Sequence, residues 1–210
     1  MKLIFATGNE GKMREIREIM EDVCPDILSL KDAGLIAEAE ENGTSFAENA
    51  QIKAQEIHEK LFKAAREEGK RLDALVLADD SGLCIDALSG APGIHSARWL
   101  GHDTPYEEKN RVILEKLKGV SGKARGASFV CSICAVLPCG RVLHAEGVMP
   151  GEIAAAPAGA GGFGYDPIFY LPEYGMTSAQ LSREEKNRIS HRGQALSRMK
   201  ELLLAEGIFA

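Results

Sequence analysis

The chain has 210 residues, a net charge of −6, 45% hydrophobic and 27% charged residues, the makeup of an ordinary globular protein with ample length for a core. That acidity argues against broad, sequence-independent binding to nucleic acid, which needs a basic face. No apolar run reaches membrane-spanning length, and the first six residues lead straight into a glycine loop, so neither a membrane span nor a signal peptide is expected.

In chain order, Leu3 to Ala6 reads as a strand, followed by the loop Thr7-Gly8-Asn9-Glu10-Gly11-Lys12 and a helix from about Met13 to Glu21 with Ile16, Ile19 and Met20 on one face. Ile27 to Leu30 suits a short second strand. After the acidic loop Glu38 to Gly43, Thr44 or Ser45 is placed to cap a helix running to about Arg66, with Ala47, Ala50, Ala54, Ile57 and Leu61 at helical spacing. Leu75 to Ala78 is a buried-strand run, closed by Asp79 and Asp80. The turn-rich segment Gly90 to Arg98 leads to a helix from about Pro105 to Lys118, with Thr104 or Asp103 as its cap.

Phe129 to Leu137 and Val142 to Val148 form an expected strand pair around Pro138-Cys139-Gly140, and a glycine- and alanine-rich loop precedes Tyr165 to Tyr170. Ser182 and Glu185 have capping-box spacing, and a last helix should turn Leu196, Met199, Leu202 and Leu203 inward. There is no repeat, low-complexity linker or composition break, so residues 1–210 are expected to form a single α/β domain.

The five cysteines, an odd number, suit the reducing cytoplasm. Cys131 and Cys134 have C-x-x-C spacing but lie in a strand, where residues three apart point to opposite faces. They are expected to be buried structural thiols rather than metal ligands.

Four segments carry chemistry. The strand–loop–helix at Thr7 to Lys12 offers helix-start amides, glycines for close approach and a lysine, which together suit a phosphate. It is not a Walker A loop, and it reads equally as a plain βα turn with a surface lysine. Asp79 and Asp80 at a core strand cost several kcal/mol unless compensated, and Mg²⁺ held for a substrate phosphate is a common compensation. Alternation in an extended chain would point the two carboxylates apart, so one is expected to take the metal directly. Glu38, Glu40 and Glu41 either join them or form a solvated acidic loop. Phe163-Gly164-Tyr165-Asp166 could stack on a planar base and accept its hydrogen bonds, or simply anchor a loop. Arg183, Lys186, Arg188, His191 and Arg192 are the densest positive stretch, in part a surface helix paired with Glu184 and Glu185.

Taken together, Thr7-Gly8-Asn9-x-x-Lys12, Phe46-x-Glu48-Asn49-Ala50, Ala78-Asp79-Asp80-Ser81-Gly82-Leu83, Gly90-x-Pro92-Gly93-x-x-Ser96-Ala97-Arg98, Gly162-Phe163-Gly164-Tyr165-Asp166-Pro167-Ile168-Phe169 and Ser190-His191-Arg192-Gly193 closely resemble the inosine triphosphate pyrophosphatase family, the dITP/XTP pyrophosphatases. The resemblance implies an elongated α/β domain with a long, curved mixed sheet flanked by helices, two lobes and a central cleft, usually as a homodimer. It implies Mg²⁺-dependent hydrolysis of ITP, dITP and XTP to the monophosphate and pyrophosphate. Carried over by position, Thr7, Gly8, Asn9, Glu10, Gly11 and Lys12 cradle the triphosphate, with Lys53 as a further phosphate contact. Glu40 and Asp80 hold Mg²⁺, Asp80 accepts the proton and Ser81 contacts substrate. Phe163, Gly164, Tyr165, Asp166, Lys186, His191 and Arg192 form the nucleoside site. A related pyrophosphatase for modified pyrimidine nucleotides and a non-catalytic nucleotide- or RNA-binding module are the alternatives, separated by substrate profiling and by phosphate release.

Overall fold

In the computed structural model, residues 1–24, 26–36 and 41–209 are described. The regular elements are β1 (Lys2–Phe5), α1 (Glu10–Met20), β2 (Ile27–Ser29), α2 (Phe46–Glu67), β3 (Ala74–Ile85), α3 (Tyr106–Lys116), β4 (Gly126–Val136), β5 (Val142–Ile153), β6 (Phe169–Leu171), β7 (Met176–Thr177), α4 (Arg183–Ile189) and α5 (His191–Ala205). The strands form one mixed seven-stranded sheet in the order β2-β1-β3-β4-β5-β6-β7. β1 runs parallel to β2 and β3, whereas β6 is antiparallel to β5 and β7. No helix among the described residues is long and apolar enough to cross a membrane.

The chain divides into two compact units. The first comprises Met1–Asp80, Cys131–Gly147 and Gln194–Ala210; the second comprises Ser81–Val130 and Val148–Gly193. In the first, strand alternation builds a core on each face of the sheet. Leu3, Phe5, Leu75, Leu77, Cys131 and Ile133 pack against Met13, Ile16 and Met20 of α1 and Ala195, Leu196, Met199 and Leu203 of α5. Ile4, Ala6, Val76, Ala78, Cys134 and Val136 pack against Ala50, Ala54 and Ile57 of α2. Cys131 and Cys134 therefore lie in opposite cores, both fully buried and neither in a disulfide. The second unit has one core, where Leu83, Ile85, Phe129, Met149 and Ile153 meet Ile113 and Leu117 around α3 and the Tyr165–Leu171 segment.

Local signals set most boundaries. The Asn9 side chain caps α1, Ser45 caps α2, and Ser182 with Glu185 forms the capping box of α4. Three expectations are corrected. β3 does not stop at the aspartates: it continues to Ile85 because Leu83 and Ile85 resume the inward alternation, so Asp79 and Asp80 lie mid-strand. The cap of α3 is Pro105 with no side-chain bond, since the Thr104 hydroxyl donates to the Leu100 carbonyl instead. Leu202 is exposed, one position off the buried stripe of Leu196, Met199 and Leu203.

Candidate active site

Two polar groups stand out, one in each unit. In the first unit they grow from β3. Asp79 and Asp80 are adjacent, so alternation sends them to different faces, and each finds its compensation on the helix covering that face. Asp79 is 1% exposed, and its Oδ2 lies 2.9 Å from Nζ of Lys12 on α1. Asp80, 6% exposed, accepts a hydrogen bond from Asn49 Nδ2 of α2 at 3.1 Å. The Oδ1 of Asn49 accepts from the Gly43 amide at 2.9 Å, which fixes which end of the side-chain amide faces Asp80.

Lys53, one turn along α2, donates to the Asp79 carbonyl at 2.6 Å. Its ammonium also lies 3.2 Å from Glu41 Oε1 and 3.7 Å from Asp80 Oδ1. Burial pushes the Asp80 carboxyl above its ordinary range; Lys53 and the Asn49 bond pull it back, Glu41 pushes it up, and Lys12 pulls it down. A desolvated acid tuned by that many neighbours is the pattern of a working carboxylate.

The loop feeding α1 is organised by its own side chains. Thr7 Oγ1 accepts from the Asn9 amide at 3.2 Å, and Asn9 Oδ1 accepts from the Lys12 amide at 3.1 Å. Glu10 and Gly11 open the helix, so this loop presents the positive end of an 11-residue helix. A cavity of about 510 Å³ borders it, lined by Thr7, Gly8, Glu10, Arg14 and Lys31 among others. Glu40, expected as a metal ligand, lies outside the described residues. Among the described residues no cluster of three or more His, Cys, Asp or Glu side chains is arranged to hold a metal ion.

The second unit gathers Ser81, Phe163, Asp166, Lys186, His191 and Arg192. Asp166 is 3% exposed and already has three protein donors. Its Oδ2 accepts from the Phe163 amide at 2.8 Å and from Lys186 Nζ at 2.7 Å, and its Oδ1 accepts from the Ser178 hydroxyl at 2.8 Å. A carboxylate has about four acceptor sites, so Asp166 acts chiefly as a latch that closes the Phe163–Asp166 loop. Gly162 is required beside it: its φ is +70°, and a Cβ there would sit 2.1 Å from Asp166 Oδ2.

The Phe163 ring has Lys186 Nζ 5.0 Å and Arg192 Cζ 5.6 Å from its centroid, within reach of cation–π attraction. Arg192, 2% exposed, donates to the Ser81 hydroxyl at 3.0 Å. The His191 ring stacks on Phe129 at 4.8 Å. Tyr165 points its hydroxyl into the protein, donating to the Ser96 carbonyl at 2.8 Å, and burial pushes its pKa up. Glu41, offered by the sequence as one of the acids that could join the aspartates, does lie beside Lys53 and acts on Asp80, whereas Asn49 stood in a motif without a task and Ser178 went unnoticed as a partner. A buried Asn one helical turn from a lysine was the available sign for Asn49; nothing local marks Ser178.

Comparison with known proteins decides the family. The model of the Ham1 family matches residues 3–202. The chain belongs to the Ham1 family. This Ham1-family chain is 45% identical over 202 residues to the dITP/XTP pyrophosphatase of Clostridium perfringens, covering 96% of this chain and 97% of that protein. It is 44% identical over 206 residues to the dITP/XTP pyrophosphatase of Escherichia coli K12, covering 96% and 98%. Its fold is similar to the solved HAM1 protein from Coxiella burnetii, with TM-score 0.80, 38% identity and coverage of 98% and 99% of the two chains. The Ham1 protein of Staphylococcus aureus gives 0.81, 36%, 98% and 100%.

Proposed function

We propose that this Ham1-family chain is a dITP/XTP pyrophosphatase that hydrolyses ITP, dITP and XTP to the monophosphate and pyrophosphate, clearing deaminated purine nucleotides from the precursor pool. Identity of about 45% along nearly the whole chain to relatives bearing that name supports the activity. The observation that carries the chemistry is Asp80, a buried carboxylate with its pKa raised, held by Asn49 and approached by Lys53.

In this reading Thr7, Gly8, Asn9, Glu10, Gly11 and Lys12 receive the triphosphate, with Lys53 as a second cation for it. The α-phosphorus is shielded by several negative charges, and positive charge is needed before water can attack. Asp80 orients that water and takes its proton. The donor chemistry fits a hard divalent ion: Asp80 is desolvated, Glu41 raises its pKa further, and both side chains carry the carboxylate oxygens such an ion prefers. Asp80 and Glu40 would hold Mg²⁺, which when bound supplies Lewis-acid stabilisation of phosphate charge.

Ser81, Phe163, Gly164, Tyr165, Asp166, Lys186, His191 and Arg192 receive the nucleoside. Hypoxanthine and xanthine present a carbonyl at C6 where adenine presents an amino group. Lys186 and Arg192 only donate, so they suit the carbonyl and strand adenine's amino group against a donor. Asp80 and Ser81 are consecutive residues of β3. A homodimer in the cytoplasm completes the proposal, resting on the family resemblance and on the odd number of cysteines.

A triphosphate panel with pyrophosphate detection, with and without Mg²⁺, tests the reading. ITP, dITP and XTP should be cleaved in the presence of Mg²⁺ far faster than ATP or GTP. Equal rates on ATP overturn the selectivity, and preference for a modified uridine or thymidine triphosphate overturns the substrate class.

A further inference from the structure

Three side chains on one face of α3, Tyr106, Lys109 and Asn110, lie at i, i+3 and i+4 spacing and reach two loops of the second unit. Asn110 is 6% exposed, and its Nδ2 donates to the Gly164 carbonyl at 3.2 Å. Its Oδ1 is buried and has no hydrogen-bond partner among the described residues. A buried polar group retained with half its capacity unused is costly, so packing alone is a poor reason for an asparagine here.

Tyr106 supports the same peptide from another side. Its ring meets Tyr165 edge-on, with centroids 5.1 Å apart at 89°, and its carbons are the nearest atoms, at 3.6 Å, to where a Gly164 Cβ would sit. Lys109, 1% exposed, donates to the Ala97 carbonyl at 2.6 Å, next to the Ser96 carbonyl that receives the Tyr165 hydroxyl. Gly164 has φ +69°, so its carbonyl direction is not set by ordinary backbone preference. The Asn110 amide sets it. Gly164 is the residue after Phe163, whose ring meets Lys186 and Arg192, while the Asp166 latch closes the loop from its far end.

We infer that Asn110 is a positioning residue for purine selectivity: by holding the Gly164 carbonyl it orients the Phe163 ring against Lys186 and Arg192, the two donor side chains that read the base. The inference rests on the proposed base site and adds to it a residue that touches no substrate. Losing the hold should weaken recognition of the favoured base and leave the phosphate chemistry nearly intact.

The experiment compares wild type, Asn110→Leu and Asn110→Ser with ITP and ATP, at temperatures where circular dichroism shows each protein folded. Leucine keeps the volume and removes the donor; serine keeps polarity but cannot span the gap. Both variants should show KM for ITP raised about tenfold, kcat within about threefold of wild type, and an ITP-to-ATP ratio of kcat/KM reduced about tenfold. A general loss of stability would lower the rates on both substrates together and keep the ratio. Variants that keep the wild-type ratio overturn the role of Asn110 alone. A wild type that treats ITP and ATP alike overturns the base site and this inference with it. Should neither variant fold, Tyr106→Leu loosens the same glycine from its other side and must lower the ratio similarly; an unchanged ratio there also overturns the proposal.

Discussion

The ammonium of Lys53 donates to the main-chain carbonyl of Asp79 at 2.6 Å while standing 3.7 Å from Oδ1 of Asp80, so a single lysine on α2 braces the backbone of one aspartate and the charge of the next. In metal-free protein the Asp80 carboxyl should titrate above the ordinary aspartate value of about 3.9, because desolvation outweighs its cations. Lys53→Met removes the first-named lowering influence and should move the titration higher still. The sign is direct: with a raised folded pKa, the carboxylate binds its proton more tightly folded than unfolded, and stability falls as pH rises from the unfolded pKa through the folded one. Carboxyl NMR titration of wild type and Lys53→Met checks both expectations. Asp80→Asn should reduce pyrophosphate release at least ~10³-fold, comparable to losing a general base or a metal ligand, with an unchanged far-ultraviolet spectrum.

The other aspartate, Asp79, pairs with Lys12. The Asp79 side chain is fully inaccessible and that of Lys12 is 16% exposed, so the pair is close to buried. Breaking a buried pair from one side costs about 3–5 kcal/mol, and partial exposure of the lysine puts Lys12→Ala at about 2 kcal/mol. Asp79→Asn with Lys12→Ala should recover part of that loss. Urea denaturation of the two single variants and the double variant measures the coupling.

Asp166 is expected to matter for loop order more than for direct contact. Asp166→Asn removes a charge partner of the buried Lys186 and should destabilise the protein by about 3 kcal/mol. Ser178→Ala, which deletes the hydroxyl shared between Oδ1 and the main-chain carbonyl of Asp166, should cost about 1 kcal/mol and raise KM for ITP with little change in kcat. Equal effects of Ser178→Ala on kcat and kcat/KM would contradict the latch.

Gly193 sits where α4 hands over to α5, and a Cβ there would lie 1.8 Å from the Asn187 carbonyl oxygen. No side-chain rotation relieves a clash with backbone. Gly193→Ala should therefore destabilise by about 2 kcal/mol or more, as overpacking does, and thermal denaturation would show it as a clear drop in Tm.

The thiols give a chemical readout of the fold. Cys139 is exposed, whereas Cys24, Cys131 and Cys134 are buried. Burial pushes the Cys134 thiol up to about 12, so at pH 9 it stays protonated and unreactive. Native protein should yield one fast-reacting thiol with an aromatic disulfide reagent, lost in Cys139→Ser, and the buried ones only on unfolding. Since the folded state holds the Cys134 proton more tightly than the unfolded state, stability should decline as pH rises from about 9.

Much of this was legible in the sequence because it rests on short-range rules. Alternation put Cys131 and Cys134 in opposite cores, and the Ser182–Glu185 capping box opened α4 as expected. The extent of β3 was not legible: two acids followed by Ser81-Gly82 look like a turn, and only pairing across the sheet carries such a segment through the core. The latch escaped for a related reason. Ser178 is 12 residues from Asp166, and their meeting depends on how the β6–β7 hairpin returns. Leu202 failed because three leucines in a row leave a helix's inward edge undefined until a neighbour packs on it.

The side-by-side placement of Asp79 and Asp80 in one extended strand gives each carboxylate a different nearest helix. The first meets Lys12 of α1 and the second Asn49 of α2, while Lys53 also reaches the Asp79 carbonyl and Lys12 also acts on Asp80. A one-residue slip of β3 would exchange their surroundings and drive both charges toward the wrong helix. Substitutions on either helix therefore act mainly on one carboxylate and more weakly on its neighbour, while a length change within this strand would disturb both.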